Sequence, residues 1–177
     1  MNMISHPAPL IRRADVTDAG LLAELGARTF SDTFAADNKP EDVAAYLAAS
    51  FNPARQAEEI LDTRSLYLVA EIDNEAVGYA QLYAGVTPEC VTGTMPIELV
   101  RFYVDARWHG RGVSAALMRA CIDEARQAGY QTLWLGVWEH NGRAQAFYRK
   151  WSFREVGEHI FQLGSDPQTD VLMTREI

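Results

Sequence analysis

The chain has 177 residues, of which 48% are hydrophobic and 23% are charged. These fractions are those of an ordinary globular protein, so they exclude a disordered, collagen-like or coiled-coil chain. Sixteen basic against 24 acidic residues give a formal net charge of −8, which argues against a general affinity for nucleic acid. Since no linker or internal repeat divides the sequence, we expect residues 1–177 to form a single domain.

The sequence contains no apolar run of about 18 residues that would suit a membrane-spanning helix. Its first residues, Met1–Pro7, lack the apolar segment of a secretion signal, so we expect a cytoplasmic protein with no membrane partner. Cys90 and Cys121 are expected to be reduced thiols without a catalytic role. Because the histidines show no metal-ligand spacing to one another or to these cysteines, we predict no metal site.

In the first third of the chain, the pattern predicts one strand followed by helices. Residues 9–13 form the strand candidate, and Thr17 is the expected N-cap of a helix with leucines on one face. An aromatic segment, Thr29–Phe34, follows Gly26. Pro40 suits the first turn of the next helix, and a further short helix is expected after Pro53.

From residue 65 onward, strands and helices alternate in a mixed α/β order. The pattern predicts a β-loop-α-β unit in the centre of this region. The predicted strands are residues 65–71, 75–83, 97–104, 131–137, 153–163 and 170–176, and the predicted helices are residues 112–129 and 141–151.

Two glycines separated by one residue join the third of these strands to the long helix. Gly110 and Gly112 allow the backbone to turn tightly, and the helix that follows directs unpaired N–H groups and its positive dipole end at one point. Arg111 can add a cation there, so the loop is suited to an anion. The loop matches neither a Walker A sequence nor a dinucleotide fingerprint. A tight turn into a helix, with no ligand, is the alternative explanation.

The helix expected after Asn141 carries an apolar stripe that includes one hydroxyl. Ala144, Phe147, Tyr148 and Trp151 are spaced i, i+3, i+4 and i+7 on one face. Phe147 and Trp151 are expected to pack in the core. The Tyr148 hydroxyl requires a polar partner or a wet cleft, where it could donate a proton.

Together, these two segments resemble the GNAT family of acetyl-CoA-dependent N-acetyltransferases. Val104–Leu117 is similar to the family's pyrophosphate loop, although His109 replaces its Gln or Arg and Ser114 replaces its Gly or Ala. The segment from Asn141 to Tyr148, with Phe153 after it, is similar to the family's Asn-x-x-Ala-x-x-Phe-Tyr…Gly-Phe motif. The resemblance implies an α/β (α+β) fold: a mixed, mostly antiparallel, twisted sheet of about six to seven strands, helices on both faces and a splayed central cleft.

The resemblance also implies acetyl-CoA as cosubstrate and assigns residues to it. Asn141 would bond the pantetheine arm, and Tyr148 would act as the general acid for the departing thiolate. The residues implied in cofactor binding are Phe102, Tyr103, Val104, His109, Gly110, Arg111, Gly112, Val113, Ser114, Asn141, Ala144, Phe147 and Tyr148.

The catalytic base is open between two carboxylates. Glu98 lies on the strand before the loop and could take the proton of the amine directly or through a water. It could equally face solvent or pair with Arg101, and Glu139 is its competitor as the base. As substrate-binding residues we predict Phe30, Asp32, Trp138 and Glu139, because aromatic faces and carboxylates suit a cation.

Three further segments resemble the bacterial spermidine/spermine N-acetyltransferases of this family: Thr29–Phe34, Trp134–Glu139 and Gln168–Asp170. This implies acetyl transfer, by direct attack, to a primary amine of a small polycation. Two alternatives stay open: an acetyltransferase of the same family that acts on an amino acid, an aminoglycoside or a peptide N-terminus, and a non-catalytic CoA-binding regulatory module. The resemblance also allows a homodimer.

Overall fold

The computed structural model describes residues 8–177, so the predictions made for Met1–Pro7 fall outside the described residues. Seven strands and five α-helices lie within that range. The strands are β1 (Leu10–Arg13), β2 (Ser65–Ile72), β3 (Glu75–Tyr83), β4 (Pro96–Val104), β5 (Thr132–Trp138), β6 (Arg154–Leu163) and β7 (Asp166–Glu176). The helices are α1 (Ala19–Phe34), α2 (Pro40–Ser50), α3 (Pro53–Leu61), α4 (Val113–Gln127) and α5 (Gly142–Lys150).

All seven strands belong to one open sheet in the order β1-β2-β3-β4-β5-β7-β6. Neighbouring strands run antiparallel except β4 and β5, which are parallel and are joined through α4. A parallel pair needs such a crossover, so the predicted β-loop-α-β unit is confirmed at the centre of the sheet.

Helices cover both faces of the sheet, as predicted. The apolar stripe of α4 buries Val113, Leu117 and Cys121 completely against one face. On the other face, Leu22 of α1 packs with Tyr67 and other side chains of β2 and β3. Since successive residues of a strand point to opposite faces, β2 and β3 supply apolar side chains to both cores.

The start of α1 differs from the prediction that Thr17 caps it. The Asp15 carboxylate accepts the Thr17 N–H at 2.8 Å, and the Asp18 carboxylate accepts the Asp15 N–H at 2.9 Å. This reciprocal pair starts a short 3-10 turn, and α1 begins only at Ala19. The prediction was wrong because two aspartates form the cap where a hydroxyl was expected to form it.

The aromatic segment after Gly26 is also part of α1, which continues to Phe34. A Cβ at Gly26 would lie 2.5 Å from atoms of Phe51 and Tyr79, so this glycine permits close packing and does not end the helix. The Thr29 hydroxyl donates to the Leu25 carbonyl at 2.7 Å, which satisfies it inside the helix.

The last strand begins four residues earlier than expected and forms a long hairpin with β6. Gly164 turns the chain with a φ of +57°, and the Asp42 carboxylate accepts the Ser165 N–H at 2.7 Å. Pro167 fits in β7 because this part of the strand pairs with β6 and not with β5. The hairpin turn is thereby bonded to α2.

The pairing of β4 with β5 is unusually short. Only Pro96–Glu98 pair with Thr132–Trp134, and β4 and β5 do not pair with each other beyond that point. A register shift against β3 leaves Val100 as an extra residue in β4. A bulge bends its strand, so β4 turns away from β5 and the predicted splayed cleft is present.

Candidate active site

The gap between β4 and β5 opens into a cavity of about 370 Å³. Side chains from both sheet faces and from α1, α2 and α5 line it. The predicted site residues on its wall are Phe30, Phe102, Tyr103, Val104, His109, Gly110, Ser114, Trp138, Asn141, Ala144, Phe147 and Tyr148. Those that do not line it are Asp32, Glu98, Arg111, Gly112, Val113 and Glu139.

The glycine loop has a backbone that other residues adopt only with strain. Gly110 and Gly112 have φ values of +74° and +87°, and no atom lies within 4 Å of a Cβ built on either. Gly112 is the N-cap of α4 and supplies no side chain there, so the first-turn N–H groups of the helix are left for an outside acceptor. Both glycines are therefore required by conformation and not by lack of space.

His109 braces the loop by bonding with both ring nitrogens. Its Nε2 donates to the Val104 carbonyl at 2.8 Å, because a carbonyl can only accept. Arg143 donates to its Nδ1 at 2.8 Å, which requires a neutral imidazole. The ring thus joins the end of β4 to α5, and its partner Arg143 also lies on the cavity wall.

Asn141, just before α5, and Tyr148, in its second turn, both line the cavity. The Asn141 side-chain oxygen accepts the Ala144 N–H at 3.1 Å and so caps the helix, which leaves the amide nitrogen as its donor towards the cavity. Tyr148 is 8% exposed and packs between Phe102 and Phe153. Burial raises the pKa of its phenol, so the hydroxyl stays protonated at neutral pH and can donate.

Glu98 lies at the closed end of the gap, level with Trp134 of β5. Its side chain is half-buried, and desolvation raises its pKa to about 7. Arg101, the alternative partner considered above, instead donates to Glu59 at 2.6 Å and to the Tyr67 hydroxyl at 2.9 Å. A carboxyl with this pKa is half ionised near neutral pH, as a general base requires.

Of the four predicted acceptor residues, two lie together on the cavity wall and two lie elsewhere. Phe30 is buried against Phe34, with ring centroids 4.5 Å apart, and Trp138 contacts Phe34 at 5.7 Å, so both belong to the aromatic wall. Asp32 lies in a smaller adjoining recess beside Arg143. Glu139 is exposed outside the cavity, 3.8 Å from His140.

The structure also places residues in the cavity that were not predicted as site residues. They are Thr29, Thr33, Phe34, Tyr46, Leu99, Val100, Gly136, Val137, Arg143, Phe161, Leu163, Gln168 and Asp170. Several of them fall in the three segments that carried the spermidine/spermine resemblance: Thr29–Phe34, Trp134–Glu139 and Gln168–Asp170. Those segments carried a resemblance but no spacing relation to the other site residues, and β6 and β7 reach the cavity only through the sheet order.

The described residues, 8–177, contain neither a metal-binding cluster nor a membrane-spanning helix. In this part of the chain, no group of three or more His, Cys, Asp or Glu side chains is placed to hold a metal ion. Within the same range, every helix is too short or too polar to cross a membrane.

Strands β4 and β5 separate, a glycine loop lies at the N-terminus of α4 beside the gap, and a buried tyrosine lines the gap. This arrangement suits acyl transfer from a phosphate-bearing acyl donor. The chain belongs to the Acetyltransferase (GNAT) family, whose model matches residues 28–153, and it is an N-acetyltransferase of that family. The recognised GNAT resemblance and the predicted fold are confirmed.

Individual relatives agree with this assignment. An uncharacterized N-acetyltransferase of Mycobacterium bovis is 37% identical over 162 residues, which are 92% of this chain and 99% of the relative. The type 1 aminoglycoside N(6′)-acetyltransferase of Stenotrophomonas maltophilia is 29% identical, over 87% of this chain and 92% of its own. Among solved structures, the PaiA N-acetyltransferase of Thermoplasma acidophilum in complex with coenzyme A superposes with a TM-score of 0.79 at 18% identity, covering 97% of this chain and 100% of that one.

Proposed function

We propose that this enzyme transfers the acetyl group of acetyl-CoA to a primary amine of a small polycation such as spermidine or spermine. The observation that supports this most is that one cavity combines a proton donor, Tyr148, with an aromatic wall that includes Phe30 and Trp138. Aromatic faces attract ammonium groups and pack against their methylene chains.

The residues of the cleft fit acetyl-CoA. From Leu99 to Val104, the edge of β4 that faces β5 has no strand partner, so its backbone groups can pair with an amide-bearing chain. At the end of that edge, the glycine loop and the α4 N-terminus suit a pyrophosphate, and Arg143 lies on the adjacent wall. Acetyl-CoA supplies the acetyl group as an activated thioester, and no covalent enzyme intermediate is needed.

Two side chains would move the protons. Glu98, ionised above its pKa of about 7, would take the proton of the attacking amine through a water, since it does not line the cavity itself. The Tyr148 hydroxyl would donate to the departing thiolate. The competitor for the base, Glu139, is exposed outside the cavity, which favours Glu98.

The acceptor would lie between α1, α2 and the β6–β7 hairpin, with Phe30 and Trp138 against it. The wall is held in place from two sides: Gln168 of β7 donates to the Asn38 side chain after α1, and Asp42 of α2 binds the hairpin turn. Because Asp32 lies in the adjoining recess, we assign it to the rim of the acceptor site rather than to its wall.

The glycine loop gives a direct test of cofactor binding. We expect Gly112→Ala to weaken acetyl-CoA binding about fivefold to thirtyfold, because the loop conformation that binds the cofactor has a φ of +87° and costs a Cβ-bearing residue roughly 1–2 kcal/mol. Calorimetric titration with acetyl-CoA measures the effect. Gly20→Ala, in the first turn of α1 with open space around its Cβ, is the matched control and should bind as the wild type does. Equal affinity of the Gly112→Ala and wild-type proteins would contradict this role of the loop.

The function itself is tested by CoA release from acetyl-CoA with a panel of amines: spermidine, spermine, amino acids, aminoglycosides and an N-terminal peptide. We expect saturable turnover confined to the polyamines. Turnover only with aminoglycosides, which the Stenotrophomonas relative would suggest, refutes the polyamine assignment and keeps the cofactor site. Acetyl-CoA binding with no turnover on any amine would favour a regulatory CoA-binding module.

A further inference from the structure

A second carboxylate faces the cavity at a place that the chemistry above does not use. Asp170 of β7 lines the cavity, and its side chain is only 15% exposed. It is the direct cross-strand neighbour of Trp138 on β5 and of His159 on β6. Side chains at directly paired positions point to the same face of a sheet, so Asp170 lies on the face that carries Trp138.

Gly136 has no side chain, and the Asp170 carboxylate occupies the space that a Cβ would need. A Cβ at Gly136 would lie 3.2 Å from Asp170 Oδ2 and 3.2 Å from His159 Nε2. The glycine has an ordinary φ, so its backbone does not require it. We infer that a glycine stands at position 136 because the Asp170 carboxylate extends over it.

Asp170 has a weak partner for a buried charge. His159 Nε2 is 3.5 Å from Oδ2, and the His159 side chain is 40% exposed. Among residues 8–177 no Arg or Lys forms an ion pair with Asp170. The ionised form of a carboxyl removed from water without a full countercharge is stabilised by a cation that enters the cavity.

The surroundings specify which cation. Phe161 and Tyr46 pack edge to face at 5.4 Å, and Phe34 and Trp138 do so at 5.7 Å, all on the same cavity wall as Asp170. Aromatic faces with a carboxylate suit an alkylammonium group, because the rings take its methylenes and the carboxylate takes its N–H donors.

Asp170 and Glu98 lie at different levels along β5. Glu98 is level with Trp134, and Asp170 is level with Trp138, four residues further along β5 and on the same face. At about 3.3 Å per residue the two levels are ~13 Å apart, too far for both carboxylates to serve one nitrogen. They can serve two nitrogens of a single extended molecule.

We propose that Asp170 binds the non-reacting ammonium group of the acceptor and thereby selects a diamine or polyamine over a monoamine. This rests on the function proposed above and adds the residue that would recognise the second charge. Asp170 acts here as a specificity residue.

The test compares 1,5-diaminopentane with 1-aminopentane, which differ only in the second amine. In Asp170→Asn, we expect the ratio of diamine to monoamine kcat/KM to fall at least tenfold, through a higher KM for the diamine. The KM for acetyl-CoA should stay within twofold. A similar fractional loss with both amines would overturn the proposal, because Asp170 would then serve the chemistry or the fold.

A second variant protects the test against a folding defect. Gly136→Ala keeps the charge but crowds the carboxylate and the imidazole, and it should lower the same ratio by a smaller factor. An unchanged ratio in both variants would refute the proposal.

The two proposals can fail separately. If no amine supports turnover, the function proposed above fails, and calorimetric titration of 1,5-diaminopentane into the CoA-loaded protein still tests the anchor. Binding to the wild type that weakens at least tenfold in Asp170→Asn supports it, and equal or absent binding in both proteins refutes it.

Discussion

Tyr148→Phe should lower kcat by about 10²-fold to 10³-fold while the Kd for acetyl-CoA stays within twofold. A phenol is protonated at neutral pH, burial raises the pKa of this one further, and Tyr148 lines the cavity from α5. The variant keeps the ring that packs on Phe102 and Phe153, so the fold should be retained. Steady-state kinetics with saturating acceptor, together with calorimetric titration of acetyl-CoA, measures both quantities.

Tyr130→Phe is the matched control, since Tyr130 lies outside the cavity in the turn before β5 and should keep wild-type kcat. A kcat for Tyr148→Phe within threefold of the wild type would show that another group protonates the thiolate. An equal loss of kcat and cofactor affinity would indicate that the hydroxyl supports the cleft and not the reaction.

Glu98→Gln should lower kcat/KM by about 10²-fold or more at pH 8 and remove a pH dependence. The wild-type kcat/KM should decline as the pH falls through about 7, because protonation of Glu98 removes the base. The glutamine variant should lack this limb. A limb that persists unchanged in Glu98→Gln would assign it to another group, and Glu139→Gln, outside the cavity, is the control for a merely electrostatic effect.

The same substitution should stabilise the protein, which separates a catalytic role from a structural one. Burial raises the pKa of Glu98 from 4.5 to about 7, so ionisation of this carboxyl favours the unfolded state. The protonated Glu98 side chain contributes fully to stability below pH 4.5, the pKa that it has in the unfolded chain. This contribution is lost as the pH rises through about 7, the pKa in the folded protein. The quantity to compare is the free energy of unfolding of Glu98→Gln minus that of the wild type. At ~1.4 kcal/mol per pKa unit, this quantity should be up to about 3 kcal/mol larger at pH 8 than at pH 4.

Urea denaturation at the two pH values measures this change. A variant that is less stable than the wild type at pH 8 would show that Glu98 makes a favourable contact as the carboxylate. A variant that is more stable but inactive would show that the buried carboxyl is kept for the reaction at the expense of stability.

The local motifs were predictable because neighbours in sequence generate them. Gly110 and Gly112 take left-handed backbone conformations that the Gly-x-Gly spacing before a helix already indicates. The i, i+3, i+4 spacing placed Phe147 and Tyr148 on the inner face of α5, where the structure has them. The two motifs together carried the family resemblance, and through it the mixed sheet and the splayed cleft.

Chain spacing could not predict contacts that depend on which strands become neighbours. Asp170 reaches the cavity because β7 inserts between β5 and β6, and Gly136 matters only because those strands bring His159 beside it. His109 differs from the family pattern, and its role depends on Arg143, 34 residues away.

The sequence by itself determined the turns, the helical stripes and the donor groups of the cofactor loop, since these follow from backbone conformation and side-chain period over a few residues. The tertiary structure alone decided that α1 continues past Gly26, because Phe51 and Tyr79 pack against it. It also decided which carboxylates are buried and so have altered proton affinity, such as Glu98. Desolvation arises from residues distant in sequence that exclude water, and no local pattern records them.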